Sequence, residues 1–555
     1  MTAPVLLYDT TLRDGTQREG LVLSLADKLK IARRLDEAGF PYVEGGWPGS
    51  NPKDEEFFAA ARSMTFRTAR LAAFGSTRHR SHSVETDPNL RALVEAETPV
   101  TTIFGKSWLL HVTEVLGATP EENLAMVAES VAYLRSAGRE VVYDAEHFFD
   151  GYKTDRAYAL ATLRAALAAG ASTVVLCDTN GGCMTDEVSA ITRDVGSELG
   201  PEIPIGIHVH DDAGLAVANS LAAVAAGATH VQGTINGYGE RCGNANLVTI
   251  WANLRLKVGR ATVPAGDDLT RLPELSRFVA EVANIAPDAH APYVGTSAFA
   301  HKGGVHGAAT IRVEQAYQHV EPSIVGGQSR LVVSELGGKA NAGWRVRQLG
   351  ELVGDGLDPA ELSRLVKQLE SEGASFEGAD ASFELLVRRR RADYRPPFRI
   401  VDFTVIVEPR DGSHAGAEAS VKVEVDGEVL HTAADGNGPV HALDRALRKA
   451  LGAFYPTLDE VHLVDYKVRI IDGDAATGAR TRVIIETGHE SGSWLTAGAD
   501  TNIIAASLAA LHDSFEYAVW KLDAQPARRD ERSSAHAVSA RHGAAPRPSL
   551  EGEPA

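Results

Sequence analysis

The chain has little cysteine, no long apolar run and no excess of positive charge. Its 555 residues include three cysteines, Cys177, Cys183 and Cys242, an odd number without C-x-x-C spacing. This argues against a disulfide framework or a structural zinc site and fits a reducing cytosol. No segment approaches the roughly 18 consecutive apolar residues of a membrane span. The net charge of -19 argues against a nucleic-acid or anionic-membrane partner. No basic segment precedes an apolar one at the N-terminus, so we expect no signal peptide and a cytoplasmic protein.

What is present is a regular alternation of short apolar runs and helical patterns in the first half of the chain. The segment from Ser24 to Gly39 opens with a capping serine, has Asp27 three residues later and closes on glycine, which are helix start and stop signals. The apolar runs are residues 5–10, 42–46, 70–75, 101–105, 140–148, 172–179, 204–210 and 230–237. Eight strands, each followed by a helix, predict a (β/α)8 TIM barrel of the α/β class rather than an open doubly wound sheet.

The second half of the chain changes character twice. After a catalytic barrel at 1–265, residues 266–395 predict a mostly helical linker subdomain. Residues 396–525 hold two similar halves, each with three strand patterns and one helix, which predict an α+β domain of duplicated βββα units. Residues 526–555, rich in Ala, Arg, Pro and Ser, predict a disordered tail.

Polar residues follow the barrel strands at their carboxyl ends, where barrel enzymes carry their chemistry. A ring of such groups on one rim is costly unless it binds something. The residues are Asp9, Arg13 and Asp14 after the first strand, Asp144, Glu146 and His147 after the fifth, Asp178, Thr179 and Asn180 after the sixth, His208 and His210 on the seventh, and Asn236, Glu240, Arg241 and Asn244 after the eighth.

A divalent metal ion explains this ring. His208 and His210 are two residues apart on a strand and therefore share one face. Alone, such a pair also fits a polar strand end beside water. Together with the carboxylate of Asp14 and the amide oxygen of Asn244, it predicts mixed nitrogen and oxygen ligation with open positions for a chelating substrate.

Two further residues beside the predicted metal fit roles in catalysis. Arg13 could hold a substrate carboxylate or stabilise a developing enolate. Glu146 is a candidate base, or a group that supports the ligands. His147, at the end of the same strand, is the alternative to Glu146 and could be a ligand.

Three barrel motifs, in this order, carry a resemblance to a known family. "DTTLRDGTQ", "HVHDDAGLAVANS" and "GYGERCGNANL" resemble the metal-dependent Claisen-type enzymes, which include 2-isopropylmalate, homocitrate and citramalate synthases. "DGNGPVHALDRAL" is similar to the regulatory domain of these synthases, so the resemblance covers nearly the whole chain. Within the family, "YVEGGWPGSNPKD", "IFGKSWLLHV", "YDAEHFFDGYK" and "AYQHVEPSIVGG" resemble the citramalate synthase branch.

The resemblance implies a reaction and its partners. It implies condensation of acetyl-CoA, the co-substrate, with pyruvate, followed by thioester hydrolysis, as a step of isoleucine biosynthesis. It also implies a divalent metal ion (Mn, Zn, Mg or Co), an amino-acid effector at the C-terminal domain and a homodimer. The alternatives are a larger 2-ketoacid, as in isopropylmalate or homocitrate synthases, or a hydroxymethylglutaryl-CoA-lyase-like carbon–carbon lyase.

The resemblance also implies roles for single residues of the barrel. Arg13 would stabilise the ketoacid oxygen or the enolate, Thr179 would hold the pyruvate carboxylate, and Glu146 would assist proton movement. The implied metal ligands are Asp14, His208, His210 and Asn244.

A histidine of the linker subdomain is implied as the acid–base group. His306 matches a family histidine in "HKGGVHGAA", and Tyr317 would be its partner. His301 in the same motif is the alternative to His306.

Overall fold

The computed structural model describes residues 3–263, 268–349, 358–410 and 414–527. Contacts divide the chain into two compact units, residues 1–299 with 319–329 and residues 300–318 with 330–555. Nearly all of the predicted tail at 526–555 lies outside the described residues. The domain boundaries expected from the sequence stay predictions.

The first unit contains a closed parallel barrel. Strand β1 pairs with β8 and also with β2, so the sheet closes on itself, and the short β9 pairs with Val5 and Leu6 at the start of β1. This confirms the predicted (β/α)8 barrel. The strands are β1 (Val5–Asp9), β2 (Tyr42–Gly46), β3 (Arg70–Ser76), β4 (Val100–Lys106), β5 (Glu140–Glu146), β6 (Thr173–Asp178), β7 (Ile205–Val209), β8 (His230–Gly233) and β9 (Thr262–Val263).

Helices connect the strands and cover the barrel. Ser24 caps the first helix in a reciprocal capping box with Asp27, as the sequence predicts. No described helix is long and apolar enough to cross a membrane. The helices of this unit are α1 (Leu25–Glu37), α2 (Pro52–Ala61), α3 (Pro88–Glu95), α4 (Pro120–Ser136), α5 (Phe148–Thr154), α6 (Arg156–Ala168), α7 (Thr185–Leu199), α8 (Ala216–Ala225), α9 (Leu247–Asn253) and α10 (Leu272–Val282).

Alternate side chains of the strands build two separate apolar layers. On β1, Leu7 belongs to the large core between strands and helices, whereas Tyr8 belongs to a smaller cluster inside the barrel. The other members of the inner cluster are Ala72, Val100, Val142, Val175 and Cys177. Polar side chains that follow these positions, such as Asp144 on β5, are thereby directed toward the carboxyl rim.

The second unit begins with short strands and helices and continues with two βββα repeats. Each repeat is a three-stranded antiparallel sheet followed by one helix, which confirms the predicted duplication. Its elements are β10 (Ala300–His301), α11 (Gly304–Arg312), β11 (Arg330–Leu331), α12 (Lys339–Leu349), α13 (Pro359–Ser371), α14 (Asp380–Arg388), β12 (Arg399–Arg410), β13 (His414–Val425), β14 (Glu428–Gly436), α15 (Pro439–Phe454), β15 (His462–Ile470), β16 (Thr481–His489), β17 (Gly492–Asp500) and α16 (Ile503–Lys521).

The first strand of each repeat lies at the edge of its sheet. Among the described strands, the orders are β12-β13-β14 and β15-β16-β17, so β12 and β15 each pair on one side only. Both carry exposed apolar side chains, while β13 and β16 bury theirs against α15 and α16. The exposed residues are Val401, Phe403, Ile406 and Val407 on β12 and Leu463, Val464, Val468 and Ile470 on β15.

Candidate active site

Three of the four predicted metal ligands meet at the carboxyl rim of the barrel. Asp14 follows β1, His208 lies on β7 and His210 directly follows it, and all three are buried. The carboxylate and imidazole ligand atoms of the three lie within 4.8 Å of one another. The Nε2 atoms of His208 and His210 are 3.1 Å and 3.9 Å from Oδ2 of Asp14. This is the geometry of a site that can hold a cation.

Asn244, the fourth predicted ligand, lies in the same cluster. An isolated β-bridge between His210 and Asn244 brings the loop after β8 against the end of β7. The side-chain amide of Asn244 donates to Oδ2 of Asp14 over 2.9 Å and lies 3.4 Å from Nε2 of His208. The cluster therefore brings together residues from the beginning and from the end of the barrel sequence.

The charges of the cluster are set by burial and by close partners. Burial raises the pKa of Asp14, but the Arg13 guanidinium and the His208 ring outweigh it and hold that pKa well below its usual range. Burial lowers the pKa of His208, yet the hydrogen bond and the charge of Asp14 give a net increase. Burial lowers the pKa of His210 to about 4. The cluster thus presents an ionised carboxylate and a neutral His210 ring.

The residues present fit a divalent cation. Among the described residues, Oδ1 of Asn244 and Nδ1 of His210 are buried polar atoms without a hydrogen-bond partner. The two Nε2 atoms of His208 and His210 face each other at 3.4 Å. Two imidazole nitrogens, a carboxylate oxygen and an amide oxygen form a mixed donor set that divalent transition metals accept.

Arg13 is fixed beside this cluster by two carboxylates. Its Nε donates to Oε1 of Glu44 over 2.6 Å, and its Nη1 lies 3.2 Å from Oδ2 of Asp14. The guanidinium carbon lies 3.7 Å from the centre of the Phe74 ring. Tyr8 donates to the other oxygen of Glu44 over 2.8 Å. Sequence reasoning missed Glu44, and its only signal was an acidic residue inside the otherwise apolar strand β2.

Glu146 and Thr179 lie at the ends of neighbouring strands. Glu146 ends β5 and forms an ion pair with Lys106, which ends β4. The hydroxyl of Thr179, one residue after β6, accepts the backbone N–H of His147 over 2.9 Å. A hydroxyl that accepts one bond still has a proton to donate. The ring of His147, the alternative to Glu146, lies with Nδ1 3.3 Å from Oδ2 of Asp150.

Asp9 has a structural contact at the end of β1. Its two carboxylate oxygens accept the backbone N–H and the hydroxyl of Thr11 over 3.0 and 2.8 Å. Burial raises the pKa of Asp9 to about 7. Asp9 therefore fixes the loop that carries Arg13 and Asp14.

Gln232 is a second residue that sequence reasoning missed. It lies on β8, is fully buried, and its Oε1 is 2.8 Å from Nδ1 of His208. Its Nε2 donates to Oδ1 of Asp144 over 2.9 Å. Burial raises the pKa of Asp144 to about 7. Gln232 thus connects a predicted metal ligand to a buried carboxyl group of β5.

The predicted acid–base residues pack together in the second unit. The rings of His306 on α11 and Tyr317 stack with their centres 4.3 Å apart. His301 on β10 lies 6.4 Å from the Tyr317 ring in an edge-on arrangement. The structure brings His306 and Tyr317 together, and their acid–base role stays a prediction.

Three family models match successive parts of the chain. Residues 4–279 match the family described as HMGL-like, and residues 293–373 match the homocitrate synthase post-HMGL domain-like family. Residues 377–519 match the LeuA allosteric (dimerisation) domain. Together these matches cover the barrel, the following helical segment and the duplicated βββα repeats.

Curated relatives match over nearly the full length. The (R)-citramalate synthase of Synechocystis sp. is 51% identical over 526 residues, 92% of this chain and 95% of that protein. The (R)-citramalate synthase of Aquifex aeolicus is 50% identical over 525 residues, 94% of this chain and 99% of that protein. The 2-isopropylmalate synthase of Syntrophus aciditrophicus is 30% identical over 509 residues, 91% of this chain and 94% of that protein. These matches confirm the resemblance found in the motifs, and the chain belongs to the (R)-citramalate synthase family.

Proposed function

We propose that this enzyme condenses acetyl-CoA with pyruvate and hydrolyses the resulting thioester, which yields (R)-citramalate and CoA. The observation that carries this proposal is the buried cluster of Asp14, His208 and His210 beside Arg13. A 2-ketoacid offers a carboxylate and a keto oxygen to such a cluster, and the family assignment favours pyruvate over larger ketoacids. Formation of citramalate would serve isoleucine biosynthesis.

The metal ion would be held by Asp14, His208 and His210, with Asn244 as a further ligand through its amide oxygen. When bound, a divalent metal polarises a ketoacid carbonyl as a Lewis acid and orients the substrate. Mn, Zn, Mg and Co are the candidate ions. Metal analysis of the purified protein by mass spectrometry would identify the resident ion.

Arg13 would stabilise the negative charge that develops on the substrate oxygen. Its Nε and Nη1 already face Glu44 and Asp14, so the guanidinium plane is fixed before substrate arrives. A donor that needs no reorientation is worth more in the transition state than a mobile one. Arg13 is therefore proposed as the main electrostatic group of the condensation.

Two further barrel residues and one histidine outside the barrel would position the substrates and move protons. The hydroxyl of Thr179 would donate a hydrogen bond to the pyruvate carboxylate. Glu146, paired with Lys106, would assist removal of a proton from the acetyl methyl group. His306, stacked on Tyr317, would supply the acid–base group for the later steps.

Assembly and regulation belong to the same proposal. The LeuA allosteric (dimerisation) domain match supports a homodimer and an amino-acid effector at the C-terminal domain. We expect isoleucine, the end product of the pathway, to be that effector. We also expect a cytoplasmic enzyme.

The first experiment measures CoA release from acetyl-CoA by the purified, metal-loaded protein. Pyruvate, 2-oxoisovalerate and 2-oxoglutarate are offered separately, and each reaction is repeated with isoleucine. We expect release with pyruvate and inhibition by isoleucine. Release only with 2-oxoisovalerate or 2-oxoglutarate would support the isopropylmalate or homocitrate alternative. No release with any ketoacid would overturn the proposed reaction.

The metal site has its own test. His208→Ala removes one imidazole ligand, so bound metal should be lost and CoA release should fall by at least about 100-fold. His290→Ala, which changes an exposed histidine in a loop of the same unit, is the matched control and should keep both properties. Metal content and CoA release are measured for both variants. Wild-type activity of metal-free His208→Ala would contradict the proposed site.

A further inference from the structure

Gln232 contacts the side of His208 that faces away from the metal cluster. Nε2 of His208 lies 3.1 Å from Oδ2 of Asp14, on the cluster side, and Nδ1 lies 2.8 Å from Oε1 of Gln232. Gln232 is fully buried, and Asp144 is 3% exposed. The contact between Gln232 and His208 is therefore a direct one in a buried environment, where hydrogen bonds are strong.

The amide of Gln232 is oriented by its other partner. Its Nε2 donates to Oδ1 of Asp144 over 2.9 Å, and a carboxyl group can accept this bond whether or not it carries a proton. An amide has its two donors on nitrogen and its acceptor on oxygen. Because the nitrogen is engaged by Asp144, the oxygen must face His208. An oxygen at that place requires a hydrogen on Nδ1 of His208.

A hydrogen on Nδ1 of His208 has a consequence for the other ring nitrogen. In a neutral imidazole with hydrogen on Nδ1, the lone pair is on Nε2. Nε2 of His208 points at Oδ2 of Asp14 and lies 3.4 Å from Nε2 of His210. The lone pair is thereby directed into the space that a cation would take.

His210 provides an internal contrast. Its Nδ1 is buried and has no partner among the described residues. The two proposed histidine ligands thus differ at Nδ1: that of His208 is held by a relay from β5 through β8, and that of His210 has no such partner in the part of the chain that the structure describes. A hydrogen bond to the distal nitrogen orients a ligating ring and increases its basicity.

We propose that Gln232 is a positioning residue, which holds His208 in the tautomer with hydrogen on Nδ1 so that Nε2 presents its lone pair to the metal. This inference rests on the proposed metal site. Asp144 acts through Gln232 by fixing the direction of the amide, and neither residue contacts the ion. The relay fixes the direction of the His208 ring, with Nε2 toward the space that the ion would take.

The test compares Mn²⁺ dissociation constants of the purified full-length protein, measured by equilibrium dialysis. Gln232→Leu removes the acceptor, so the dissociation constant should rise about 10- to 100-fold. Gln232→Glu keeps an oxygen acceptor for Nδ1, so it should stay within about threefold of the wild type. A packing role would give the opposite order, because a second buried carboxylate next to Asp144 costs more than leucine. Equal losses in both variants, or no loss in Gln232→Leu, would overturn the inference.

A control variant and a replacement variant complete the test. Asn219→Leu removes another buried amide with two hydrogen bonds, to Thr185 and Cys183, and should bind Mn²⁺ like the wild type. If Gln232→Leu does not fold, Asp144→Leu replaces it, since leucine offers no acceptor to Nε2 of Gln232 and leaves the direction of the amide unfixed. Asp144→Leu should weaken Mn²⁺ binding by several-fold, and wild-type affinity would overturn the inference. Wild-type protein that binds no Mn²⁺, or binding unchanged in His208→Ala, would instead overturn the metal site itself.

Discussion

Arg13 contacts two carboxylates that have different roles. Glu44 on β2 accepts a hydrogen bond from its Nε, whereas Asp14, next to its Nη1, belongs to the proposed metal cluster. The ring of Phe74 covers the guanidinium carbon at 3.7 Å and supplies a flat contact that an ammonium group would not match. The shape of the guanidinium, in addition to its charge, is therefore used at this position.

The first prediction concerns this shape. Arg13→Lys keeps the charge but loses the fixed fork, so we expect kcat/KM for pyruvate to fall about 100- to 1000-fold while Mn²⁺ affinity stays within a few-fold. Steady-state kinetics and metal dialysis check the two parts. Arg33→Lys, at an exposed position of α1, is the control and should behave as the wild type. Nearly unchanged kcat/KM in Arg13→Lys would show that charge alone suffices.

His230 is a buried histidine without a catalytic assignment. It is 1% exposed on β8, its ring centre lies 5.0 Å from that of Tyr8, and its Nε2 has no hydrogen-bond partner among the described residues. Burial lowers its pKa to about 3. In the unfolded chain a histidine has a pKa of about 6.5, so between these values the unfolded state binds the extra proton.

This difference predicts a loss of stability in acid. As pH falls from about 6.5 to about 5, His230 should lower the free energy of unfolding by about 2 kcal/mol. His230→Leu should remove this part of the pH dependence. Urea unfolding followed by tryptophan fluorescence at about pH 7.5 and about pH 5 measures it, with exposed His290→Leu as the control. The same acid sensitivity in His230→Leu and in the wild type would contradict the explanation.

At the scale of elements, the barrel strands were predictable because each combines a short apolar run with polar residues directly after it. β6, for example, is buried from Thr173 to Asp178 and is followed directly by Thr179, so an apolar run with a polar end marks it in the sequence. The capping box of Ser24 was predictable for the same reason, because both of its partners lie within one helical turn. Asp14, His208 and His210 could be grouped because the carboxyl ends of barrel strands share one rim.

The contacts across the barrel were not predictable from one sequence. Gln232 on β8 and Asp144 on β5 are 88 positions apart, and their contact depends on strand register and on the diameter of the closed sheet. Glu44 contacts Arg13 for the same kind of reason. Alternation shows that such side chains point inward, but it does not show which inward side chain each one meets.

The edge strands β12 and β15 carry a prediction of their own. Ile406 and Ile470 are 50% and 59% exposed on described strands with one unpaired edge. Exposed apolar edge strands are usually covered by another segment or by another chain. We propose that a second copy of the chain covers them. The double variant Ile406→Lys and Ile470→Lys should shift the protein from dimer to monomer in sedimentation velocity, with folded far-UV spectra. Val22→Lys, at a 79% exposed apolar residue of the barrel unit, should remain a dimer. A dimeric double variant would exclude this surface.

At the scale of the whole molecule, the two compact units differ in how their strands are arranged. The barrel unit is built from parallel strands that pair in sequence order and closes through its first strand. The second unit reuses one βββα pattern, and Val421 and Ile485 take corresponding places on the central strands β13 and β16. The duplication was visible in sequence because both halves repeat the same order of strands and helix.

The closure of the barrel by β1 also sets when the metal site can exist. Asp14 leaves the ribosome with the first strand, whereas His208, His210 and Asn244 emerge roughly 200 residues later, and the pairing of β1 with β8 brings them together. Contacts so distant in sequence form late in folding. A nascent chain that stops before β7 holds only Asp14 of these ligands, and one that stops before β8 lacks Asn244 and the strand that closes the sheet, so metal binding requires a completed barrel. The moment at which the nascent chain binds metal would therefore show when β1 pairs with β8.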